Sequence, residues 1–214
     1  MSKYAQRLYV ILLALMVMGG IASNIGATKL FPYIAGATLP AGAILVPTNY
    51  ICGDMLTEIY GFKKARKTIL LTFLTTLIAT LYFQLVVILP AAPSWDGQEH
   101  ISYVLSQTPR ILIASFTAFI IGQYLNAFIM SVMKQKDQEK RLGLRCILST
   151  LMGETADSLI FVGIAFTGIL PEQVMWTMII AQAITKTLIE IVLYFSATKW
   201  LIQTSKKHIA KEIA

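Results

Sequence analysis

The sequence predicts an all-α, polytopic membrane protein in which residues 1–214 form a single transmembrane domain of six helices. Two properties of the composition indicate this class: the mean hydropathy is +0.67, and only 14% of the residues are charged. The third is a series of apolar runs of roughly 20 residues, the length that crosses about 30 Å of hydrocarbon as a helix. Helices are required because backbone groups in lipid must be hydrogen-bonded within their own segment, and the alternation of a barrel is absent.

Six apolar runs are candidate spans, and we predict them at residues 7–28, 39–60, 67–90, 109–133, 146–169 and 173–198. The first is too long for a signal peptide, so we interpret it as a span. The second is interrupted by prolines and glycines: Pro40, Gly42, Pro47 and Gly53. It should be kinked or partly unwound, either where the freed carbonyls line a cavity or as a packing kink without a role.

The basic residues predict how the spans are oriented. The chain has 18 Lys and Arg residues against 11 acidic ones, which gives a formal net charge of +7. All but Lys29, Arg110 and Lys186 fall in the termini or loops on one side of the predicted bundle. By the positive-inside rule that side is cytoplasmic, so we expect both termini in the cytoplasm. The charge is explained by topology and does not indicate a nucleic-acid partner.

Polar side chains in the middle of three spans are the main indication of a binding site. A charge at the bilayer centre costs about 2.5 to 3.5 kcal/mol, so it persists mainly where it faces the bundle interior, water or a partner. Spacings of three and four residues place each set on one helix face. The sets are Gln123 and Asn126, Glu154 and Asp157, and Gln182, Lys186 and Glu190. We expect the three faces to point at one another.

The fifth and sixth spans bring surplus negative charge to this pocket. Two acids from one span and a Lys with a Glu from the other give a formal charge of −2. Protonation, a bound cation or a ligand rich in hydrogen-bond donors would relieve it. The alternative is a set of interhelical bridges that only hold the bundle together. Asp54 and Glu58 add to the acids but sit nearer the cytoplasmic mouth, where water or Lys63 could satisfy them.

The sequence favours neither enzymatic nor metal chemistry. Both histidines, His100 and His208, fall in a predicted loop and tail. We find no HExxH motif, Gly-rich phosphate loop or paired-Cys signature. Cys52 and Cys146 have no metal-like spacing. We therefore predict that the protein is not an enzyme and has no cofactor and no metal site.

A weak internal echo links the fourth and fifth spans. "GQYLNAFI" (122–129) and "GETADSLI" (153–160) share Gly, then Gln or Glu, then Asn or Asp, then Ile. Because these spans run in opposite directions, the match fits the vestige of a repeat around a midplane site, and it also fits chance.

Four separated stretches resemble the vitamin uptake transporter family, the bacterial queuosine precursor transporters. They are "GDMLTEIYGFKKARK" (53–67), "RILIASFTAFIIGQYLNAFI" (110–129), "LSTLMGETADSLIFVGIAF" (148–166) and "KTLIEIVLYF" (186–195). The resemblance implies a six-helix protein of the bacterial inner membrane, similar in architecture to the substrate-binding subunits of energy-coupling-factor vitamin importers. It also implies uptake of 7-deazaguanine bases, chiefly 7-cyano-7-deazaguanine.

The resemblance also assigns residues. The positions that match the family's motifs are Asp54, Glu58, Arg110, Gly122, Gln123, Asp157 and Lys186. We assign Asp54, Glu58 and Arg110 to gating or proton coupling. The chain departs from the family at Asn126, where Asp is usual, and at Glu154, where Gln is usual. Compared with the family, this chain has one acid fewer in the fourth span and one more in the fifth. A different 7-deazaguanine, such as queuine or the aminomethyl form, is therefore also a candidate substrate.

The residues themselves agree with a purine-like ligand. The pyrimidine edge of a guanine analogue presents a ring N–H beside an amino group, which one carboxylate accepts as a bidentate pair. We expect Glu154 or Asp157 to be that carboxylate. The groups expected to serve the rest of the base are Gln123, Asn126, Tyr124 and Phe161, the last two by stacking.

These observations predict a transporter that binds a small-molecule 7-deazaguanine base near the bilayer midplane, between the fourth, fifth and sixth spans. The alternative is the substrate-binding subunit of an ATP-driven vitamin or nucleobase importer, which needs a partner module. The lipid bilayer is the expected environment in both cases, and a homodimer stays open.

Overall fold

The computed structural model describes residues 3–136, 142–193 and 199–213, which form a bundle of helices. In chain order the helices are α1 Lys3–Gly26, α2 Val46–Tyr60, α3 Phe62–Ile88, α4 Gln98–Leu105, α5 Thr108–Lys136, α6 Leu142–Phe166, α7 Glu172–Leu193 and α8 Lys199–Ile213. Two short strands, β1 Leu30–Pro32 and β2 Thr38–Pro40, pair as an antiparallel hairpin between α1 and α2. The predicted all-α class is confirmed.

Five segments of the described chain are long and apolar enough to cross a membrane. They are Lys3–Gly26, Lys63–Ile88, Gln98–Asn126, Ile147–Phe166 and Glu172–Leu193. They overlap all the predicted spans except the second; residues 194–198, the end of the last predicted span, lie outside the described residues. Large apolar side chains are exposed along them, among others Val10, Ile78, Leu81, Ile113, Ile180 and Leu188. Such a surface suits contact with lipid, and the prediction of a polytopic membrane protein is confirmed.

The second predicted span, residues 39–60, is not one continuous helix. Helix α2 begins only at Val46, and β2 and a short 3₁₀ turn, Ala41–Ile44, precede it. A helix that began earlier would place Pro47 in its interior, where the ring clashes with the preceding turn; at the start of α2 it is tolerated. The 15 residues of α2 rise about 22 Å, short of the roughly 30 Å of hydrocarbon.

The helices pack as two groups of three around a central cavity. Helices α1, α2 and α3 contact one another on one side, and α6 packs between α5 and α7 on the other. Contacts of α3 with α5 and of α2 with α7 close the bundle. The short α8 lies against α1 and α2, and there Tyr4 stacks on His208 with 5.3 Å between the ring centroids.

Apolar clusters close the bundle on either side of the cavity. One joins the hairpin to α5, α6 and α7, and includes Leu39, Phe161 and Met178. The other joins α1, α2 and α8, and includes Met16 and Leu56. The first cluster anchors the hairpin through Leu39, whereas Pro32, Ile34 and Gly36 at its turn are exposed.

Helices α5 and α6 approach each other closely where Gly122 faces Gly153. A Cβ at Gly122 would lie 3.0 Å from the carbonyl oxygen of Gly153 and from the Cβ of Asp157. A Cβ at Gly153 would lie 2.9 Å from the Cβ of Asn126. The contact is reciprocal, since Asp157 follows Gly153 at the same spacing at which Asn126 follows Gly122. The two stretches of the sequence echo therefore pack directly against each other.

Candidate functional site

A buried ion cluster lies where α6 meets α7. Lys186 of α7 donates a hydrogen bond to Asp157 of α6, and its Nζ lies 3.8 Å from Oε2 of Glu154. The three residues are between 4% and 7% exposed. One ammonium group thus faces two carboxylates. The polar faces of the fifth and sixth predicted spans are brought together, and negative charge is in surplus between them.

This cluster borders a cavity of about 270 Å³ between the two groups of helices. Its size is near the lower end of small-molecule sites, roughly 300 Å³. Among the residues predicted for the site, Asp54, Gln123, Asp157 and Lys186 line it. Gln182 also lines it, is 1% exposed, and its Nε2 has no hydrogen-bond partner within the described residues. A buried donor left unsatisfied costs about 1–3 kcal/mol, so this amide suits a ligand that supplies an acceptor.

Other predicted residues lie beside the cavity rather than in its described lining. Glu154 lies behind Lys186, which lines the cavity, and Asn126 packs against Gly153 at the crossing of α5 and α6. Glu190 is partly buried on α7 and interacts electrostatically with Glu154 and Asp54. The side chain of Glu58 lies outside the described part of the structure.

Arg110, which we assigned to gating or proton coupling, contacts the end of α6. It stands near the start of α5, and its guanidinium donates hydrogen bonds to the backbone carbonyls of Ile164 and Thr167 at the end of α6. The last carbonyls of a helix have no partner within it, and a cation there also suits the helix dipole. Arg110 therefore fastens the end of α6 to α5, and we leave it out of the proposed gate.

Aromatic rings form part of the cavity wall. Phe73 and Phe116, from α3 and α5, stack with 3.8 Å between their centroids, and both line the cavity. Phe161 also lines it, where a stacking role was expected. Tyr124 does not: it is 72% exposed and stacks on Phe128, so it faces away from the bundle interior.

Apart from Asp54, the polar side chains that α1, α2 and α3 contribute to the cavity wall were missed by the sequence analysis. They are Ser23, Asn24, Asn49, Thr57, Thr72 and Thr76. Neutral amides and hydroxyls cost less to bury than charges, so each stands out less against an apolar run. One signal was available: Gly19 and Gly20 precede Asn24 on α1, and the structure uses them to admit Asn49 and Thr76.

A wider cavity of about 1040 Å³ continues from the first toward α8. The lining residues that the two cavities share are Asp54, Thr57, Ile69, Phe116, Phe119 and Gln123. The wider cavity also reaches Arg66, Gln203 and Lys206, at the end of the bundle where Lys and Arg are concentrated. The central cavity is therefore accessible from that end.

A multi-pass helical bundle with a buried, charged cavity that can be reached from one end is the architecture of a membrane transporter for small molecules. The chain matches the model of a family described as "Putative vitamin uptake transporter" over residues 40–199. It belongs to this family, and the predicted membership and the prediction of a transporter rather than an enzyme are both confirmed.

Three curated relatives are similar to the chain. A "Probable queuosine precursor transporter" of Bacillus subtilis is 29% identical over 175 residues, which cover 80% of this chain and 76% of the relative. The "Queuosine precursor transporter" of Escherichia coli K12 is 30% identical, and the "Probable queuosine precursor transporter" of Haemophilus influenzae is 27% identical. Each of these two alignments covers 58% of this chain and about half of the relative, 54% and 51%.

No solved structure matches the chain. The predicted likeness to the substrate-binding subunits of energy-coupling-factor importers therefore stays a prediction.

Proposed function

We propose that this protein transports a queuosine precursor across the bacterial inner membrane and binds it as a 7-deazaguanine base in the central cavity. The names of the three relatives support the substrate class. The observation that carries the site is the buried cluster in which Lys186 is shared by Asp157 and Glu154 at the edge of that cavity. 7-Cyano-7-deazaguanine is the first substrate to test.

The chemistry of the cavity matches the pyrimidine edge of such a base. Asp157 lines the cavity beside Lys186, and its carboxylate can accept the ring N–H and the amino group together. The unpartnered Nε2 of Gln182 can donate to the adjacent carbonyl oxygen. The rings of Phe73, Phe116 and Phe161 provide apolar faces for the base.

The second acid gives the site a way to release Asp157. When the ligand engages Asp157, Lys186 keeps Glu154 as a counter-charge, so no ammonium is left unpaired in the interior. This matters because breaking a buried ion pair without compensation costs about 3–5 kcal/mol. Two carboxylates on one Lys are thus explained by exchange of partners, which interhelical bridging alone would not need.

The site belongs near the bilayer midplane in this proposal. Asp157 lies about 23 Å along α6, which is about 37 Å long, and Lys186 lies about 21 Å along α7, which is about 33 Å long. Both positions therefore fall in the middle third of their helices, which run in opposite directions. Asp54 lines both cavities and could gate passage between them or carry a proton, with Glu58 one turn on.

The proposal places both termini in the cytoplasm and requires one copy of the chain. No observation favours the alternative of a subunit that needs an ATPase module. A homodimer is not needed for the site, since all of its proposed residues come from one chain.

Uptake by the purified protein in liposomes tests the proposal. We expect labelled 7-cyano-7-deazaguanine to accumulate without any partner protein. Asp157→Ala and Glu154→Ala should abolish this uptake, because the first removes the acceptor and the second removes the counter-charge that holds Lys186. Glu172→Ala is the matched control, since Glu172 is exposed at the start of α7 and should be dispensable.

Full uptake in both cavity variants would rule this site out. Tight binding by the wild type without any uptake would instead favour the subunit alternative.

A further inference from the structure

Two amide side chains on α1 and α2 belong to the cavity lining, in the group of helices opposite the ion cluster. Asn24 is 5% exposed and lines the cavity; its Nδ2 donates to Oγ1 of Thr80 at 3.2 Å, whereas its Oδ1 has no partner within residues 3–136, 142–193 and 199–213. Oδ1 of Asn49, also a lining residue, is buried without a partner in the same ranges. Two amide oxygens in one wall therefore need hydrogen-bond donors.

Glycines on α1 make room for this wall. A Cβ at Gly19 would lie 2.4 Å from Oδ1 of Asn49, and a Cβ at Gly20 would lie 2.9 Å from Oγ1 of Thr76. Any larger residue at either position would displace these side chains. The helices are thus packed so closely that the amides have little freedom to turn toward water, and a buried polar atom that stays unsatisfied costs about 1–3 kcal/mol.

The ligand must therefore donate on two edges. With Asp157 on one wall and Asn24 and Asn49 on the other, a molecule in the cavity meets acceptors on both sides. A 7-deazaguanine base has donors to match: the N1–H and amino group on its pyrimidine edge, and the N9–H on its five-membered ring. In the corresponding nucleoside the sugar replaces the N9 hydrogen, so that edge has no donor and gains bulk.

We infer that Asn24 and Asn49 form a second half of the ligand site, which accepts a hydrogen bond from the five-membered ring and selects the free base over its N9-substituted forms. This inference rests on the proposed function and deepens it. It assigns a specificity role to residues of α1 and α2, whereas the ion cluster on α6 and α7 recognises the opposite edge.

A comparison of two ligands across variants tests the inference. The affinity of the purified protein is measured for 7-cyano-7-deazaguanine and for its 9-methyl derivative, which lacks the N9 donor. We expect the wild type to prefer the free base by about tenfold or more, the order of a hydrogen bond together with a steric penalty. In Asn24→Ala and Asn49→Ala the preference should shrink toward one, because the free base loses affinity while the methyl derivative does not.

The ligand comparison separates direct contact from a structural role. A variant that merely disturbs packing weakens both ligands equally, and that result would overturn the inference. Retained binding of the 9-methyl derivative shows that a variant is folded. Thr75→Ala is the control on α3, since Thr75 bonds only to carbonyls of its own helix and should keep the wild-type preference.

Binding of the two ligands by the wild type also separates a failure of the inference from a failure of the proposed function. If the wild type binds both ligands equally, the inference is wrong while the proposed function stands. If it binds neither, the proposed function and the inference fail together. A preference that both Asn variants keep unchanged places the selection elsewhere in the cavity.

Discussion

Lys186 is the residue on which the charge balance of the cavity depends. It is buried, it lies beside two acids, and Glu190 follows it by one turn on the same helix. A buried cation next to one acid would be a closed pair with little reason to admit a ligand. With two acids, one carboxylate is available to a donor from outside. We therefore expect Asp157 to exchange Lys186 for the ligand, because Asp157 lines the cavity.

At this scale the sequence predicted polar residues of α5, α6 and α7 that line the cavity, but not Asn24 and Asn49 on α1 and α2. Asp157 and Lys186 could be found because a charge within an apolar run is expensive and needs a reason. Asn24 and Asn49 could not be found in the same way, because a neutral amide is much cheaper to bury. Tyr124 was expected to stack on the base, but adjacent residues on a helix point in different directions, so Tyr124 faces outward although its neighbour Gln123 lines the cavity.

Among the elements, the crossing of α5 and α6 holds Asp157 in place. Ala favours the helix by about 1 kcal/mol relative to Gly, so a Gly→Ala substitution within a helix normally stabilises the protein. At Gly153 the new Cβ would meet the Cβ of Asn126 at 2.9 Å and the carbonyl oxygen of Gly122 at 3.0 Å. Overpacking of this kind costs about 1–3 kcal/mol, so Gly153→Ala should destabilise the protein.

We therefore expect Gly153→Ala to lower the melting temperature of the detergent-solubilised protein and to weaken uptake. Gly163→Ala on the same helix is the matched control, because no atom lies within 4 Å of its added Cβ. It should be neutral or slightly stabilising. Equal melting temperatures for the two variants would show that the close approach at Gly153 is unimportant.

The hairpin between α1 and α2 is the element that hydropathy could not predict. Residues 39–47 carry no polar side chain, and a short apolar run looks the same whether it is a helix, a strand or a turn. Pro40 and Pro47 indicated a break, but not that the chain before Val46 would pair as β1 and β2. The five other predicted spans overlap segments that are long and apolar enough to cross a membrane, because length and apolarity are the properties that such a helix requires.

At the scale of the whole molecule, the orientation follows from charge, whereas the packing does not follow from sequence. The positive-inside rule assigns sides to the loops, but it does not say which helices are neighbours. The contact of α2 with α7, which brings Asp54 and Asn49 to the same cavity as Lys186, joins distant parts of the chain. The cavity that results is accessible from the end rich in Lys and Arg.

That access predicts a one-sided labelling pattern. In a variant with Cys52 and Cys146 replaced by Ser, Thr57→Cys should react with a membrane-impermeant maleimide in inside-out vesicles and stay protected in right-side-out cells. Thr57 is exposed and lines both cavities. Tyr103→Cys on α4, where Tyr103 is 73% exposed, should react from the opposite side only. Labelling of Thr57→Cys solely from outside would contradict both the orientation and the direction of access.

The central claim is that a donor-rich base forms hydrogen bonds to Asp157 beside Lys186. Calorimetric titration of the purified protein with 7-cyano-7-deazaguanine tests it most directly, with Asp157→Asn compared with the wild type and Glu172→Gln as the exposed control. Asparagine keeps the shape but offers a single acceptor without charge, so affinity should fall about 10- to 100-fold, the range of a hydrogen bond to a charged group. Wild-type affinity in Asp157→Asn would contradict the account.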